Sequence, residues 1–308
     1  MLWEKKGLIF QPKKELWWMQ SHCQLPTVLA LDDNLYRIYF ASRDKRQYSH
    51  IGYVDIDIRN PFKPLSFTKE PILYPGEIGH FDEHGVFPSA VIRKGQEVYL
   101  YYIGWNKGYE PPLFYASIGV AISDDGGTVF RKYSNAPVLS RNEYDPCLVT
   151  SPCVYLLKSS RLGMIYTSGV KWERDIHGKL KSYYHLKFAE STDGIKWRRD
   201  GLVAIDFQGE DETNIARGWV IQEDGLYKMW YCFVKGKQLY RIGYAESKDG
   251  IKFQRKDSQA GIDVSPNEFD SEMICYPNVF FYNKRKYMVY NGNNYGEKGI
   301  GLAIFTGN

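Results

Sequence analysis

Apolar and polar residues alternate along this chain in short runs, and no long window repeats apolar residues at the 3.6-residue helical rhythm. The segments YRIYFAS (36–42), VYLYYIGW (98–105), MIYTSGV (164–170), YKMWYCFV (227–234) and YMVYNGN (287–293) each predict a strand of about five to eight residues. Flat aromatic and β-branched side chains suit a pleated, half-buried surface. The 25 tyrosines, 8 tryptophans and 28 glycines therefore point the same way. The pattern predicts an all-β protein.

Two motifs recur in phase. The first reads HCQLPTVL (22–29), HGVFPSAVI (84–92), VTSPCVYL (149–156), IARGWVI (215–221) and ICYPNVF (274–280). Anchored on Pro26, Pro88, Pro152, Gly218 and Pro277, it returns at spacings of 62, 64, 66 and 59. The second starts at His50, Ser117, His185, Arg241 and Gly299, with spacings of 67, 68, 56 and 58. An aromatic strand lies between each pair, and a weaker fourth strand follows at 67–75, 130–139, 197–206 and 253–263. Periods of this size with four strands each predict propeller blades, since solenoid repeats are shorter. Five blades use the whole chain, 1–308, as one domain. The last repeat lacks a fourth strand after GLAIF. WEKKGLIFQP (3–12) has the matching pattern and is expected to complete that blade, removing an open edge. The turns SDDGGTVF, STDGIKW and SKDGIKF give Asp125, Asp193 and Asp249 a structural role in tight turns.

Charge narrows the function classes. Forty basic and 36 acidic residues leave +4, with no basic stripe, so nucleic acid is not an expected partner. No apolar run is long enough for a membrane span, and the N-terminus has no apolar signal core. Five cysteines without a CxxC pair argue against a disulfide framework or structural zinc. The expectation is a cytoplasmic protein with reduced thiols, no cofactor and no metal, its oligomeric state left open.

The segments entering the predicted inner strands are acidic: Phe81-Asp82-Glu83-His84, Tyr144-Asp145-Pro146, Glu210-Asp211-Glu212-Thr213-Asn214 and Phe269-Asp270-Ser271-Glu272. The first blade departs, with Met19-Gln20-Ser21-His22-Cys23-Gln24. Carboxylates aimed at one axis would perturb one another's ionisation, as an acid and base near neutral pH require. Asp82, Asp145, Asp211 and Asp270 stand six or seven residues before their anchors. A feature repeated in four blades also fits a scaffold role. The candidate acids are Glu272 and Glu212, with Glu83 or Asp82 as a third carboxylate. Candidate binding residues are His84, Arg217, Asn214, Tyr276, Gln24, Trp105 and Asn291. Arg217 precedes an anchor, where an unpaired charge is costly, so it is expected to face the channel and meet a carboxylate or an anionic ligand. Trp105, Asn106, Trp172, Asn291, Asn293 and Tyr295 follow the second strands, and rings beside amides suit a sugar.

The repeated P-[ST]-x-[VI] inner strand, IGxAxS third strand and SxDGxxW turn resemble the five-bladed β-propeller glycosidase superfamily of arabinanases, xylosidases, invertases, levansucrases and mannoside phosphorylases. FDEHGVFPS, ARGWVI and FDSEMICYP also resemble uncharacterised bacterial proteins encoded among surface-polysaccharide biosynthesis genes. The resemblance implies a carbohydrate ligand at the axial mouth and, in its hydrolytic members, three carboxylates, including an aspartate on the first inner strand. Here the residues directly before the anchors are Leu25, Phe87, Ser151, Arg217 and Tyr276, none of them acidic. The family's catalytic set therefore does not carry over. Cys23 reads as a buried thiol, since its neighbour His22 points to the opposite face of a strand. Two functions follow. One is an enzyme acting on a glycosidic bond or an activated or phosphorylated sugar. The other is a non-catalytic carbohydrate-binding or scaffold propeller. A third, a protein-interaction propeller, predicts an apolar surface patch and no affinity for sugars, and the acidic mouth argues against it.

Overall fold

The computed structural model describes residues 2–307. Its regular structure is almost entirely strand, with a 3-10 turn at Asp257–Gln259 and a four-residue helical turn at Asn293–Gly296. The chain begins with β1 (Trp3–Phe10). A first group follows: β2 (Ser21–Ala30), β3 (Leu35–Arg43), β4 (Ser49–Asp57) and the short β5 (Ser66–Phe67). The second group is β6 (Gly85–Lys94), β7 (Glu97–Lys107), β8 (Phe114–Ser123) and β9 (Arg131–Lys132). The third is β10 (Leu148–Leu156), β11 (Leu162–Arg174), β12 (Leu180–Ser191) and β13 (Val203–Ile205). The fourth is β14 (Glu212–Glu223), β15 (Leu226–Lys235), β16 (Arg241–Ser247) and β17 (Gln254–Arg255). The last is β18 (Cys275–Tyr282), β19 (Arg285–Asn291) and β20 (Ile300–Phe305).

Strands within a group pair antiparallel in chain order. The last group is completed from the other end of the chain: β1 pairs with β20 from Trp3↔Phe305 to Phe10↔Ile300. The fourth strands are shorter than the sequence pattern predicts. Pro71, Pro75 and Pro137 withhold ladder donors, so beyond β5 and β9 only isolated bridges at Leu73 and Leu139 continue the pairing.

Apolar clusters hold the groups to one another, and five of them join neighbouring groups in turn. Val28, Ile38 and Phe40 pack with Ile9, Val289 and Leu302, joining the first group to the last. Tyr39 and Ile51 pack with Val86 and Leu100. Tyr101 and Ile118 meet Val149 and Met164, Ile165 and Leu186 meet Ile215 and Met229, and Trp230 and Ile242 meet Val279 and Met288. The first strands adjoin in the same cyclic order, β2–β6–β10–β14–β18 and back to β2. Burying each such large side chain contributes about 1.5–3 kcal/mol, so adjacency is enforced by the core and not by the loops.

The DG turns stitch neighbouring groups. Ser191 Oγ donates to Asp193 Oδ1, which accepts the backbone N–H of Ile195 and Lys196 at 2.8 Å each. Ser123–Asp125 and Ser247–Asp249 repeat the pattern. Tyrosines from the preceding group then donate to the turn carbonyls: Tyr39 to Gly127 at 2.6 Å, Tyr101 to Gly194 at 2.8 Å, and Tyr155 to Gly250.

Candidate functional site

The anchors are sites of β-bulges. Between β10 and β11, Thr150 opposes Thr167 and Cys153 opposes Ile165, so Ser151 and Pro152 share one partner position. The same slip occurs at Leu25-Pro26, Arg217-Gly218 and Tyr276-Pro277. In β6 the extra residue is Ser89. The bulge places the pre-anchor residue in left-handed backbone, with φ 53° at Leu25, 50° at Ser151, 54° at Arg217 and 57° at Tyr276. That conformation costs an L-residue roughly 1–2 kcal/mol. Bulges and strain of this kind concentrate beside functional sites.

These positions surround one cavity of about 490 Å³. Leu25, Phe87, Ser151, Ala216 and Tyr276 bring one lining residue from each of the five first strands. Ile103, Trp105, Lys107 and the segment Pro111–Phe114 also line it, together with Tyr184 and Tyr240, and Thr150 and Thr167 add hydroxyls. Phe87 stacks on Trp105, and Trp172 meets Phe114 edge-on. Among the described residues no Asp or Glu lines this cavity.

Arg217 lies directly behind the lining, fully buried. Its backbone N–H donates to Thr167 Oγ1 at 3.3 Å. Its guanidinium crosses to β6 and β2, donating to Ser89 Oγ at 2.8 Å, Thr27 Oγ1 at 3.1 Å and the carbonyls of Ser89 and Pro26. Nε has no partner among the described residues. Burial lowers its pKa to about 10, and every partner is a neutral oxygen. Arg217 is thus buried behind the lining and is not one of the lining residues, and its side-chain partners are neutral oxygens in place of the expected carboxylate or anionic ligand.

The expected convergence of carboxylates is not what the structure places at the mouth. Asp82 is buried and accepts from Tyr102 at 3.2 Å and Lys132 at 2.6 Å. Asp145 repeats this with Tyr166, Ser168 and Arg199, and Asp270 with Tyr290 and Lys5. In the fourth group Glu212 takes the part that spacing assigned to Asp211, receiving Arg255 through two bonds of 2.6 and 2.7 Å. Each acid joins its own inner-strand approach to a base on the outermost strand or the segment leading to it, because a buried carboxylate needs a partner. The glycine of the third-strand motif makes room: a Cβ on Gly119 would stand 2.3 Å from the Tyr102 ring that reaches Asp82. The first group has no such acid. Trp18 fills the space, stacked on Phe40 at 6.0 Å, which stands where the other groups carry tyrosine. Glu83 accepts the Gly79 N–H at 3.0 Å within its own loop, and Glu272 is exposed.

Of the binding candidates, Trp105 and Tyr276 line the cavity. His84 sits against Trp105 and Tyr48 at ring distances of 5.8 and 5.2 Å. Gln24 is buried and accepts Arg43 Nε at 3.0 Å. Asn291 is an internal clip, accepting the Leu25 N–H and donating to the Cys23 and Gly299 carbonyls. Asn214 is spent on Ser182, through bonds of 3.0 and 3.1 Å. The rim also holds His22, which burial and then Arg43 lower to about 4. Burial pushes the Cys23 thiol well up. Leu25, Phe87 and Ser151 were visible in the sequence only as non-acidic pre-anchor residues. Their position was the signal, and it marks the lining in four of the five groups; in the fourth, Ala216 lines the cavity and the pre-anchor Arg217 lies behind it.

Among the described residues no group of three or more His, Cys, Asp or Glu is gathered to hold a metal. Among the same residues no helix is long and apolar enough to cross a membrane.

No protein-family model matches the chain. It is 38% identical over 304 residues to the uncharacterized protein Rv1502 of Mycobacterium tuberculosis, covering 99% of both chains. Among solved structures it is similar to a glycoside hydrolase with TM-score 0.76 and 17% identity, over 99% of this chain and 92% of that one. A thermostable family-43 glycoside hydrolase aligns with TM-score 0.68 and 14% identity, over 92% and 88%. A structure from the GH130 family, described as mannoside phosphorylases that include glycoside hydrolases targeting β-1,2 mannosidic linkages in Candida mannan, aligns with TM-score 0.72 and 15% identity, over 98% and 93%. At these identities the likeness is one of fold, the propeller-like fold of glycoside hydrolases.

Proposed function

The chain belongs to the family of the Mycobacterium tuberculosis protein Rv1502, and from that premise we propose that it is a closed five-bladed propeller that binds a saccharide in its axial cavity without hydrolysing it. The five strand groups, their five shared apolar clusters and the cyclic adjacency of the first strands support the ring. The glycoside hydrolase fold and a cavity of rings and hydroxyls support a saccharide, which offers an apolar face together with hydroxyl groups.

The observation that carries the second half is the cavity lining itself. Hydrolysis by the usual route needs two carboxyl groups flanking the bond, about 5–5.5 Å apart for retention or roughly 6.5–9.5 Å for inversion. The positions at which a bulge turns a side chain towards this cavity hold Leu25, Ser151 and Tyr276, and the nearby buried acids are engaged with their own bases. Four thiols are buried and all five are unpaired, which fits a reducing compartment.

Calorimetry with methyl and p-nitrophenyl glycosides, paired with a nitrophenol-release assay, tests this. We expect binding without release, and at least tenfold weaker binding in Trp105→Ala. Turnover by the wild type that disappears in Glu212→Gln or Glu272→Gln would overturn the binding-only reading and restore a carboxylate mechanism. Absence of binding across the panel would overturn the saccharide site.

A further inference from the structure

Charge around the cavity is one-sided. Lys107, at the end of β7, is the one charged residue among the described residues of the lining, and its Nζ lies 5.1 Å from the centre of the Tyr48 ring. Arg43, at the end of β3, is half-buried beside the rim, within electrostatic reach of Tyr276 and Tyr295. Its Nε is held by Gln24, and neither terminal nitrogen has a protein acceptor among the described residues. Arg217 adds a third cation behind the lining. Among the described residues, none of the three lies within 4.0 Å of a carboxylate. Of the acids nearby, Glu110 pairs with Arg174 at 2.6 Å, Glu297 accepts from the neutral Asn294 amide at 2.8 Å and keeps its charge, and Glu272 is exposed; none of the three is a lining residue. His22 is held neutral.

Cations that are not neutralised, set in low-dielectric walls, focus a positive potential into a cleft. A neutral sugar would leave that field unused and would still have to displace water from Arg43. An anion uses it, because hydrogen bonds to charged groups are about twice as strong as neutral ones. Resting on the saccharide reading above, we propose that the bound saccharide carries an oxyanion, a uronate carboxylate or a phosphate ester, met at the rim by Arg43 and Lys107. The sugar body then lies against Trp105, Phe87 and Tyr276. Gln24 is the positioning residue: its amide oxygen fixes Nε and aims the terminal nitrogens of Arg43.

The test is calorimetry on the full chain with matched sets of methyl hexosides, methyl hexuronides and hexose 1-phosphates in gluco, galacto and manno configurations. Arg43→Gln and Lys107→Gln are compared after melting curves show unchanged folding. We expect one anionic class to bind at least tenfold more tightly than its neutral counterpart. We expect that preference to fall by about 10- to 100-fold in the variants, the range for a lost charged hydrogen bond, and to weaken with added salt. Preference for the uronide or for the phosphate identifies which oxyanion is read. Neutral hexosides binding as tightly as both anions would overturn the charge inference and leave the saccharide site standing. No binding by any of the three classes would remove both.

Discussion

The Glu212–Arg255 pair separates a scaffold from a catalyst. The perturbation is Glu212→Gln, which keeps the shape and removes the charge. Glu212 is 3% exposed and makes two bonds to Arg255 of 2.6 and 2.7 Å, with a third from the Gln208 N–H at 2.7 Å. Removing one partner of a buried pair costs about 3–5 kcal/mol, because the other charge is left uncompensated. Arg255 retains Asp257 at 2.8 Å, so the lower end applies, about 3 kcal/mol. At roughly 2.1 cal/mol/K per residue, 308 residues unfold with an entropy near 0.65 kcal/mol/K, and the melting temperature should fall by about 4–5 °C. Scanning calorimetry reads this directly. The double variant Glu212→Leu/Arg255→Met should recover only part of the loss, since it removes the stranded cation but takes Arg255 away from the partly exposed Asp257. Saccharide binding should be unchanged in the folded Glu212→Gln protein. A melting temperature within 1 °C of wild type, with binding or turnover abolished, would refute the scaffold role and return Glu212 to the site.

Other outcomes follow from the same geometry. His22 titrates near 4 in the folded chain against 6.5 unfolded, so the unfolded state binds its proton first. The stability it contributes is present above pH 6.5 and is lost as pH falls from 6.5 through 4; His22→Gln should flatten that part of a stability–pH curve, and an unchanged slope would contradict the assignment. Burial also lowers His50 and His185, which act with the same sign. Alkylation at pH 8 followed by mass spectrometry should modify Cys23, Cys153, Cys232 and Cys275 only after unfolding, because all four are buried and their thiol pKa values are raised; rapid labelling of native Cys23 would show an accessible thiol. Asp193→Ala should lower stability by about 1–2 kcal/mol in urea titration, since it releases the N–H groups of Ile195 and Lys196, and should leave saccharide binding intact.

Period and phase were legible from residues alone. Pro26, Pro88, Pro152, Gly218 and Pro277 mark the bulges, and WEKKGLIFQP announces the strand that completes the last sheet, because strand and turn preferences act over a few residues. A scaffold role for the repeated aspartates was readable too, from the fact that they repeat. Their partners were not: Lys132 lies 50 positions from Asp82, and Lys5 lies 265 from Asp270. A carboxylate looks the same in sequence whether it faces ligand or is bound behind a sheet.

The chain's own pattern therefore determined that this protein is built of strands, in repeated units, with an N-terminal segment belonging at the end. Packing decided the rest. Where a side chain ends up depends on which groups become neighbours and on a backbone reversal at each bulge, and only the assembled core sets these. That assembly turned the acids outward to their bases and left Leu25, Phe87, Ser151 and Tyr276 around the cavity.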